Sequence, residues 1–239
     1  MVTLTIDNKT INAPDGSNLL DVARSNGIDI PGLCYHSRLT PTGACRLCVV
    51  KIEGMRGLIT SCTVKVTEGM KVTAFDEELE GTRVLLLNYL LYEHNDSCDG
   101  TYTDELRELV IRYGLDKAEN RYLKPATKKP DFKTDASSPV LTYDPSKCIK
   151  CFRCIKGCDE IQGKNVLSFT ERGINSYIIA GTGVWGESEC DGCGECIQLC
   201  PTGAIVEKPN REFISLDKID KRVITTCPYC GVGCQIELL

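Results

Sequence analysis

The sequence has no long apolar run, no basic excess and few aromatic or histidine residues. Its apolar stretches, such as residues 84–87, are far too short to cross a bilayer, so we expect no membrane span. A formal charge of -5 and an aromatic content of 6% argue against nucleic acid as a partner. Two histidines supply little acid–base chemistry. No basic patch leads into an apolar stretch at the N-terminus, so we expect a cytoplasmic protein without a secretory signal.

The unusual feature of the composition is its 16 cysteines among 239 residues. All but three of them have another cysteine only two or three intervening residues away. Disulfides, structural zinc and iron–sulfur clusters are the competing explanations. A reducing cytoplasm disfavours disulfides, and four cysteines within eleven residues, present twice, overfill a tetrahedral zinc site. Thiolates on a short loop can instead converge on one inorganic core, so iron–sulfur clusters are the favoured interpretation.

Two cysteine runs share the spacing C-x2-C-x2-C-x3-C that is typical of two-cluster bacterial ferredoxins. The first is Cys148, Cys151, Cys154 and Cys158, and the second is Cys190, Cys193, Cys196 and Cys200, followed by Pro201. In such runs the fourth cysteine ligates the other cluster. The pattern therefore predicts one [4Fe-4S] cluster on Cys148, Cys151, Cys154 and Cys200, and another on Cys190, Cys193, Cys196 and Cys158. Asp159 stands where the second run has Pro201, so we expect a different loop exit there.

The N-terminal cysteines, Cys34, Cys45, Cys48 and Cys62, follow two alternating segments at 3–6 and 10–13 and a helical pattern. Asp7-Asn8 predicts a hairpin turn, residues 15–17 predict the start of the helix, and Gly27 predicts its end. This order is that of a β-grasp ferredoxin with a [2Fe-2S] cluster. Ten residues separate Cys34 from Cys45, where plant-type ferredoxins have four.

The whole chain resembles the iron–sulfur N-terminal part of the complex I large peripheral subunit, of NAD-linked formate dehydrogenases and of multimeric bifurcating hydrogenases. The long cysteine loop, with Cys-Tyr-His-Ser at 34–37 and Gly-Ala-Cys-Arg-Leu-Cys at 43–48, carries much of this resemblance. We expect an α+β chain with a β-grasp domain at 1–76, a helical region at 77–120 and a linker at 121–139. A two-cluster ferredoxin domain at 140–208 and a C-terminal cluster-binding tail at 209–239 complete the expected order.

The apolar residues that recur over 77–93 predict a buried helix. In the family that the chain resembles, this region leads to a histidine-and-cysteine cluster motif. His94 and Cys98 match that motif, but Thr101 and Arg107 replace its other two cysteines, so the family form of this cluster is lost. One interpretation is that His94 is a surface or helix-end histidine and Cys98 an ordinary thiol.

The tail carries a C-x2-C-x3-C signature that resembles the start of molybdopterin-dependent oxidoreductases, where it binds a [4Fe-4S] cluster. Its cysteines are Cys227, Cys230 and Cys234, and the sequence stops five residues later. Cys98 is the one cysteine left to complete a third [4Fe-4S] cluster. A ligand from a partner subunit, a three-iron cluster or an empty site remain as alternatives.

The resemblance implies an electron-transfer subunit without catalytic residues of its own. We expect it to connect an NAD(P)H-oxidising flavoprotein subunit to a hydrogenase or formate dehydrogenase catalytic subunit, with electron bifurcation or exchange with soluble ferredoxin as further options. The alternatives are the N-terminal fragment of a longer molybdopterin formate dehydrogenase, and a free multi-cluster ferredoxin.

Overall fold

In the computed structural model, residues 1–94, 104–117, 130–208 and 221–238 are described. The chain divides into two units, Met1–Lys208 and Pro209–Leu239. The first unit consists of small elements of mixed α and β structure, as the sequence predicts, and the described part of the second is a β-hairpin. Among the described helices, none combines the length and the apolar character that a bilayer crossing requires.

The N-terminal domain is a five-stranded sheet in the order β2-β1-β5-β3-β4. Its strands are β1 (Val2–Ile6), β2 (Lys9–Ala13), β3 (Val49–Ile52), β4 (Ile59–Thr60) and β5 (Lys71–Thr73). Strand β5 runs parallel to β1 and antiparallel to β3, which places the last strand in the centre of the sheet. Asp7 and Asn8 turn the first hairpin at φ values of 44° and 67°, a conformation that Asn and Asp adopt more readily than most residues.

Helix α1 (Leu19–Ser25) packs against this sheet and begins later than predicted. Its cap is Asn18, not a residue of 15–17: Asn18 Oδ1 accepts from the backbone N–H groups of Leu20 at 3.0 Å and Asp21 at 3.3 Å. Gly27, at φ 76°, follows the helix end as predicted.

Helix α2 (Glu77–Glu93) has the predicted bounds and fastens the sheet to the rest of the unit. It is only half-buried, because Leu85 and Tyr89 are 43% and 56% exposed while Leu79 and Leu87 are fully buried. The guanidinium of Arg83 is also fully buried. It donates to the backbone carbonyl groups of residues 47, 49 and 74, so α2 is held to the segment that carries the N-terminal cysteines.

Helix α3 (Glu105–Arg112) packs on α2 through an apolar cluster that also reaches three cysteines. Its members come from all parts of the first unit: Leu33, Cys34, Cys45, Leu47, Leu87, Leu91, Leu106, Val110, Leu115 and Cys151. The cluster therefore joins the loop of the N-terminal cysteines to the first cysteine run of the ferredoxin domain.

The ferredoxin domain pairs β6 (Leu141–Tyr143) with β9 (Ile205–Glu207), and β7 (Leu167–Thr170) with β8 (Tyr177–Ala180). Two short helices, α4 (Arg153–Lys156) and α5 (Glu195–Leu199), each follow a cysteine pair and pack on one another. The chain continues beyond α4 through one π-helical turn, Gly157–Ile161, whereas α5 ends before Pro201. The exposed Asp159 lies in that turn, which is the different loop exit expected from the sequence.

The second unit contains a hairpin of β10 (Val223–Thr226) and β11 (Gln235–Leu238). The strands pair from Val223 with Leu238 to Thr226 with Gln235, and the three C-terminal cysteines lie in the connection between them.

Candidate iron–sulfur centres

The four N-terminal cysteines form one buried cluster of sulfur atoms. Cys34, Cys45, Cys48 and Cys62 are each at most 8% exposed, although they lie on a loop, a strand entrance and a 3-10 turn. The Cys34 thiol contacts those of Cys45 and Cys62, and Cys62 also contacts Cys48. The folded chain therefore brings together the four residues that the sequence assigns to a [2Fe-2S] cluster.

Local backbone geometry explains how this loop can enclose a metal centre. Gly43 and Arg46 adopt φ values of 64° and 60°, and these two left-handed residues flank Cys45. The Leu33 N–H donates to Cys45 Sγ at 3.4 Å, and the Asn18 amide donates to the Cys62 carbonyl at 2.6 Å. Asn18 thus caps α1 and holds the fourth cysteine in place.

Hydrogen bonds between the four thiols lower the pKa of two of them and raise the pKa of the other two. Hydrogen bonds from Cys45 and Cys62 hold the pKa of Cys34 well below its usual value, and the Cys62 hydrogen bond lowers the pKa of Cys48 to about 7. The same contacts raise the pKa of Cys45 and Cys62. Thiolate is the form that binds iron, and two of the four sulfurs are disposed to be thiolates near neutral pH.

The ferredoxin domain contains two cysteine-lined cavities, and each one takes three cysteines from one run and the fourth from the other. One cavity is lined by Cys148, Cys151, Cys154 and Cys200. The other is lined by Cys158, Cys190, Cys193 and Cys196. We call them the first and the second cavity. This grouping is the crossed arrangement that the sequence repeat predicts.

The backbone repeats itself around the two cavities. Lys150 and Phe152 of the first run have φ values of 56° and 70°, and the equivalent Gly192 and Gly194 of the second run have 70° and 80°. This left-handed backbone turns N–H groups towards sulfur: the Lys150 N–H donates to Cys148 Sγ at 3.4 Å. The first run accepts the strain of non-glycine residues at both positions.

The surroundings of the sulfurs are apolar, which suits an iron–sulfur cluster and penalises bare thiolates. Burial raises the pKa of Cys148 to about 11 and that of Cys196 to about 12, and it raises the pKa of Cys151 and Cys154 further. Ionised thiols in such cavities need bound cations to offset the cost of desolvation. No group of three or more His, Cys, Asp or Glu within the described ranges is arranged to chelate a single metal ion.

Two aromatic side chains at the cavities carry polar groups that are not cysteine thiols. The Tyr143 hydroxyl accepts from the Ile178 N–H at 3.0 Å and hydrogen-bonds Cys148. Trp185, 2% exposed, lines the second cavity, and its indole Nε1 has no hydrogen-bond partner among the described residues. A buried N–H without a partner is costly, and a cluster sulfur in the cavity would satisfy it. The four sulfur donors of each cavity and this orphaned N–H fit the predicted cofactors.

A buried arginine connects the N-terminal cysteine site to the first cavity. Arg153, immediately before Cys154, is 4% exposed, and its Nη2 donates to the carbonyl of Tyr35, the residue after Cys34, at 2.8 Å. Its guanidinium also forms a bidentate pair with Glu105 at 2.6 and 3.0 Å. Burial lowers the pKa of Arg153, but Glu105 and the nearby Cys151 and Cys34 raise it above its usual value. Sequence reasoning missed Arg153, Tyr143 and Trp185, since no motif marks them.

The remaining predicted residues have different outcomes. His94 is a helix-end residue, as expected, but it is not on the surface: it is 3% exposed and its Nδ1 lies 2.9 Å from the Lys147 carbonyl, one residue before Cys148. The end of α2 packs against the ferredoxin domain, and this contact covers His94. Cys98 lies outside the described residues.

The C-terminal cysteines lie at the end of the β10–β11 hairpin. The Cys227 N–H donates to the Cys234 carbonyl at 2.8 Å, which closes the connection between the strands. Cys230 and Cys234 are exposed, and Tyr229 beside them is 92% exposed. These three sulfurs therefore lack the apolar enclosure of the other sites.

Comparison with known proteins agrees with this geometry. A family model described as a 2Fe-2S iron-sulfur cluster binding domain matches residues 1–76. A second, described as the ferredoxin-like domain of NADH-quinone oxidoreductase subunit 3, matches residues 138–206.

Three proteins illustrate the relationship. The alpha subunit of the NADPH-Fe(3+) oxidoreductase of Geobacter sulfurreducens is 35% identical over 99% of this chain, which spans 28% of its length. The gamma subunit of the NAD-reducing hydrogenase HoxS of Cupriavidus necator is 31% identical, over 87% of both chains. A chain in the crystal structure of an NAD+-reducing [NiFe]-hydrogenase in the H2-reduced state has a TM-score of 0.78 and 30% identity, with 90% of each chain covered.

Proposed function

Because the chain belongs to the family of iron–sulfur electron-relay subunits that includes the gamma subunit of the hydrogenase HoxS, we propose that it carries single electrons within an NAD(P)-linked oxidoreductase complex. The observation that carries this proposal is the grouping of twelve cysteines into three four-sulfur sites within one unit. Iron–sulfur clusters bound there would take up and release one electron at a time.

We propose the ligand sets that the geometry groups together. Cys34, Cys45, Cys48 and Cys62 would hold a [2Fe-2S] cluster in a β-grasp domain at 1–76. The two crossed sets would each hold a [4Fe-4S] cluster in a ferredoxin domain at 140–208. The helical region at 77–120 and the linker at 121–139 would connect them. These three clusters correspond to about ten irons per chain.

For the tail at 209–239 we propose a third [4Fe-4S] cluster on Cys227, Cys230 and Cys234. The closed hairpin connection brings the first and last of these residues together, and their exposure leaves room for a fourth ligand from elsewhere. Cys98 or a residue of a partner subunit would supply that ligand. A chain with this cluster holds about fourteen irons, and a Cys98→Ala variant that keeps all of them would exclude Cys98 as the ligand.

The partners are proposed from the relatives. An NAD(P)H-oxidising flavoprotein would exchange electrons with one end of the relay, and a hydrogenase catalytic subunit with the other, since two of the three proteins compared above are hydrogenase components. Formate dehydrogenase as the catalytic partner, electron bifurcation and a cytoplasmic location stay predictions from the sequence.

The test is anaerobic affinity purification from the native host, followed by mass spectrometry and by addition of NADH to the purified material. Co-purification with an NAD-binding flavoprotein, and cluster absorbance that bleaches with NADH, are expected. Dithionite serves as the control, because it reduces the clusters whether or not a flavoprotein is present. Recovery of the chain alone, with clusters that respond to dithionite and not to NADH, would contradict the relay function and favour a free ferredoxin.

A further inference from the structure

Arg153 lies inside a cysteine run, but its side chain points away from that run towards another domain. It is the first residue of α4 and belongs to the ferredoxin domain, yet its side chain extends to the β-grasp domain and is 5% exposed. A charged group is rarely buried without a partner, and here the partners come from two other segments: the Glu105 carboxylate of α3 and the Tyr35 carbonyl.

The contact joins the immediate neighbours of two sets of cysteines. Tyr35 follows Cys34 of the N-terminal site, and Arg153 precedes Cys154 of the first cavity. Cys34 and Cys151 pack in the same apolar cluster beside this contact. The hydrogen bond from Arg153 to Tyr35 therefore fixes how closely the two sites approach, and electron transfer between metal centres slows steeply as their separation grows.

The charge of the guanidinium also acts on both sites. A buried cation favours the more negative, reduced state of a neighbouring centre, and this effect is strong where little water screens it. Glu105 offsets part of the charge, but its side chain is 44% exposed and is screened by solvent. Arg153 Nε has no hydrogen-bond partner among the described residues, so one N–H of the cation is not engaged by Glu105 or Tyr35.

We propose that Arg153 is a positioning residue for electron transfer between the N-terminal site and the first cavity, and that its charge raises the reduction potential of both sites relative to the second cavity. The proposal rests on the proposed function for the presence of the clusters, and it requires no partner protein. Glu105 holds the guanidinium in place and sets how much of its charge the clusters experience.

Redox titration of the cluster-loaded full chain, followed by electron paramagnetic resonance, tests the proposal. With dithionite and mediators, Arg153→Gln should lower the potentials of the [2Fe-2S] cluster and the first [4Fe-4S] cluster and leave that of the second unchanged. Glu105→Gln should raise the same two potentials. Arg153→Lys keeps the charge and loses the bidentate geometry. Its potentials should match those of the unsubstituted chain, but the magnetic coupling between the [2Fe-2S] cluster and the first [4Fe-4S] cluster should be weaker.

Arg112→Gln is the matched control. Arg112 also joins a helix to the β-grasp domain, through the carboxylate of Asp29 at 2.6 Å and its carbonyl at 3.1 Å, but it is 36% exposed and its partner Asp29 does not adjoin a cysteine. Its loss should leave all potentials unchanged.

Equal shifts of all three clusters, or no shift with full iron content in Arg153→Gln, would overturn the proposal. If Arg153→Gln loses its clusters, the other two variants still test the proposal. Unchanged potentials in Glu105→Gln, or unchanged magnetic coupling in Arg153→Lys, would refute it. Since dithionite needs no partner, failure of the NADH experiment above does not affect this result.

Discussion

Crossed ligation in the ferredoxin domain can be tested by counting irons in a background that lacks one cluster. Cys190→Ala/Cys193→Ala removes two of the four sulfurs that line the second cavity and should lose about four irons per chain. In this background Cys158→Ala should cost no further iron, because Cys158 lines the cavity that is already empty. Cys200→Ala should cost up to about four more, because Cys200 lines the first cavity.

The assay is anaerobic purification, followed by colorimetric iron and acid-labile sulfide determination per chain. Removing two ligands in the background avoids a three-iron cluster, which a single substitution could leave behind. The reciprocal background, Cys148→Ala/Cys151→Ala, is the control, and there the effects of Cys158→Ala and Cys200→Ala should be exchanged. Further iron loss from Cys158→Ala and none from Cys200→Ala in the first background would show that each run ligates its own cluster, and the reasoning from the cavities would be wrong.

Three further predictions concern packing, tuning and folding. Gly157→Ala should destabilise the cluster-loaded chain by about 1–3 kcal/mol in thermal unfolding, because its Cβ would lie 2.2 Å from buried Leu199 Cδ1. Gly81→Ala, in α2 with no atom within 4 Å of the added Cβ, is the control and should stabilise the chain by about 0.5–1 kcal/mol. A loss of stability in Gly81→Ala would show that the effect of Gly157→Ala does not come from the contact with Leu199. Trp185→Phe should lower the potential of the second cluster alone, since it removes one N–H donor, and an unchanged redox titration would argue against that hydrogen bond. Chelation of iron should unfold residues 140–208, so a circular-dichroism melt retained in the apo form would contradict cluster-dependent folding.

The sequence was sufficient where spacing along the chain decides the geometry. The spacing C-x2-C-x2-C-x3-C, present twice, is that of two-cluster ferredoxins, so the crossed grouping of Cys158 and Cys200 was predictable. Helix α2 followed from the apolar residues that recur between Glu77 and Glu93. In both cases a pattern along the sequence carries the information.

The sequence was insufficient where a distant partner decides. Arg153 and Tyr35 are 118 residues apart, and nothing in either segment indicates their hydrogen bond. His94 was expected to be a surface or helix-end residue, and it does end the helix, but packing of the ferredoxin domain on that end buries it. Even the start of α1 depended on tertiary structure, since Asn18 also donates to the Cys62 carbonyl, which favours it as the cap over Ser17.

The burial of the cysteines differs from site to site, and this difference bears on the order of the relay. The N-terminal cysteines are all buried. The two cavities each contain buried and half-buried cysteines, but only the second also has an exposed one, Cys193. The first cavity is also the one that Arg153 joins to the N-terminal site. Among the three sites of the first unit, the second cavity is the one with an exposed cysteine, so a cluster bound there would have the least protein between it and an external electron acceptor. A cluster in the first cavity, which Arg153 joins to the β-grasp domain, would then pass electrons between the N-terminal site and the second cavity.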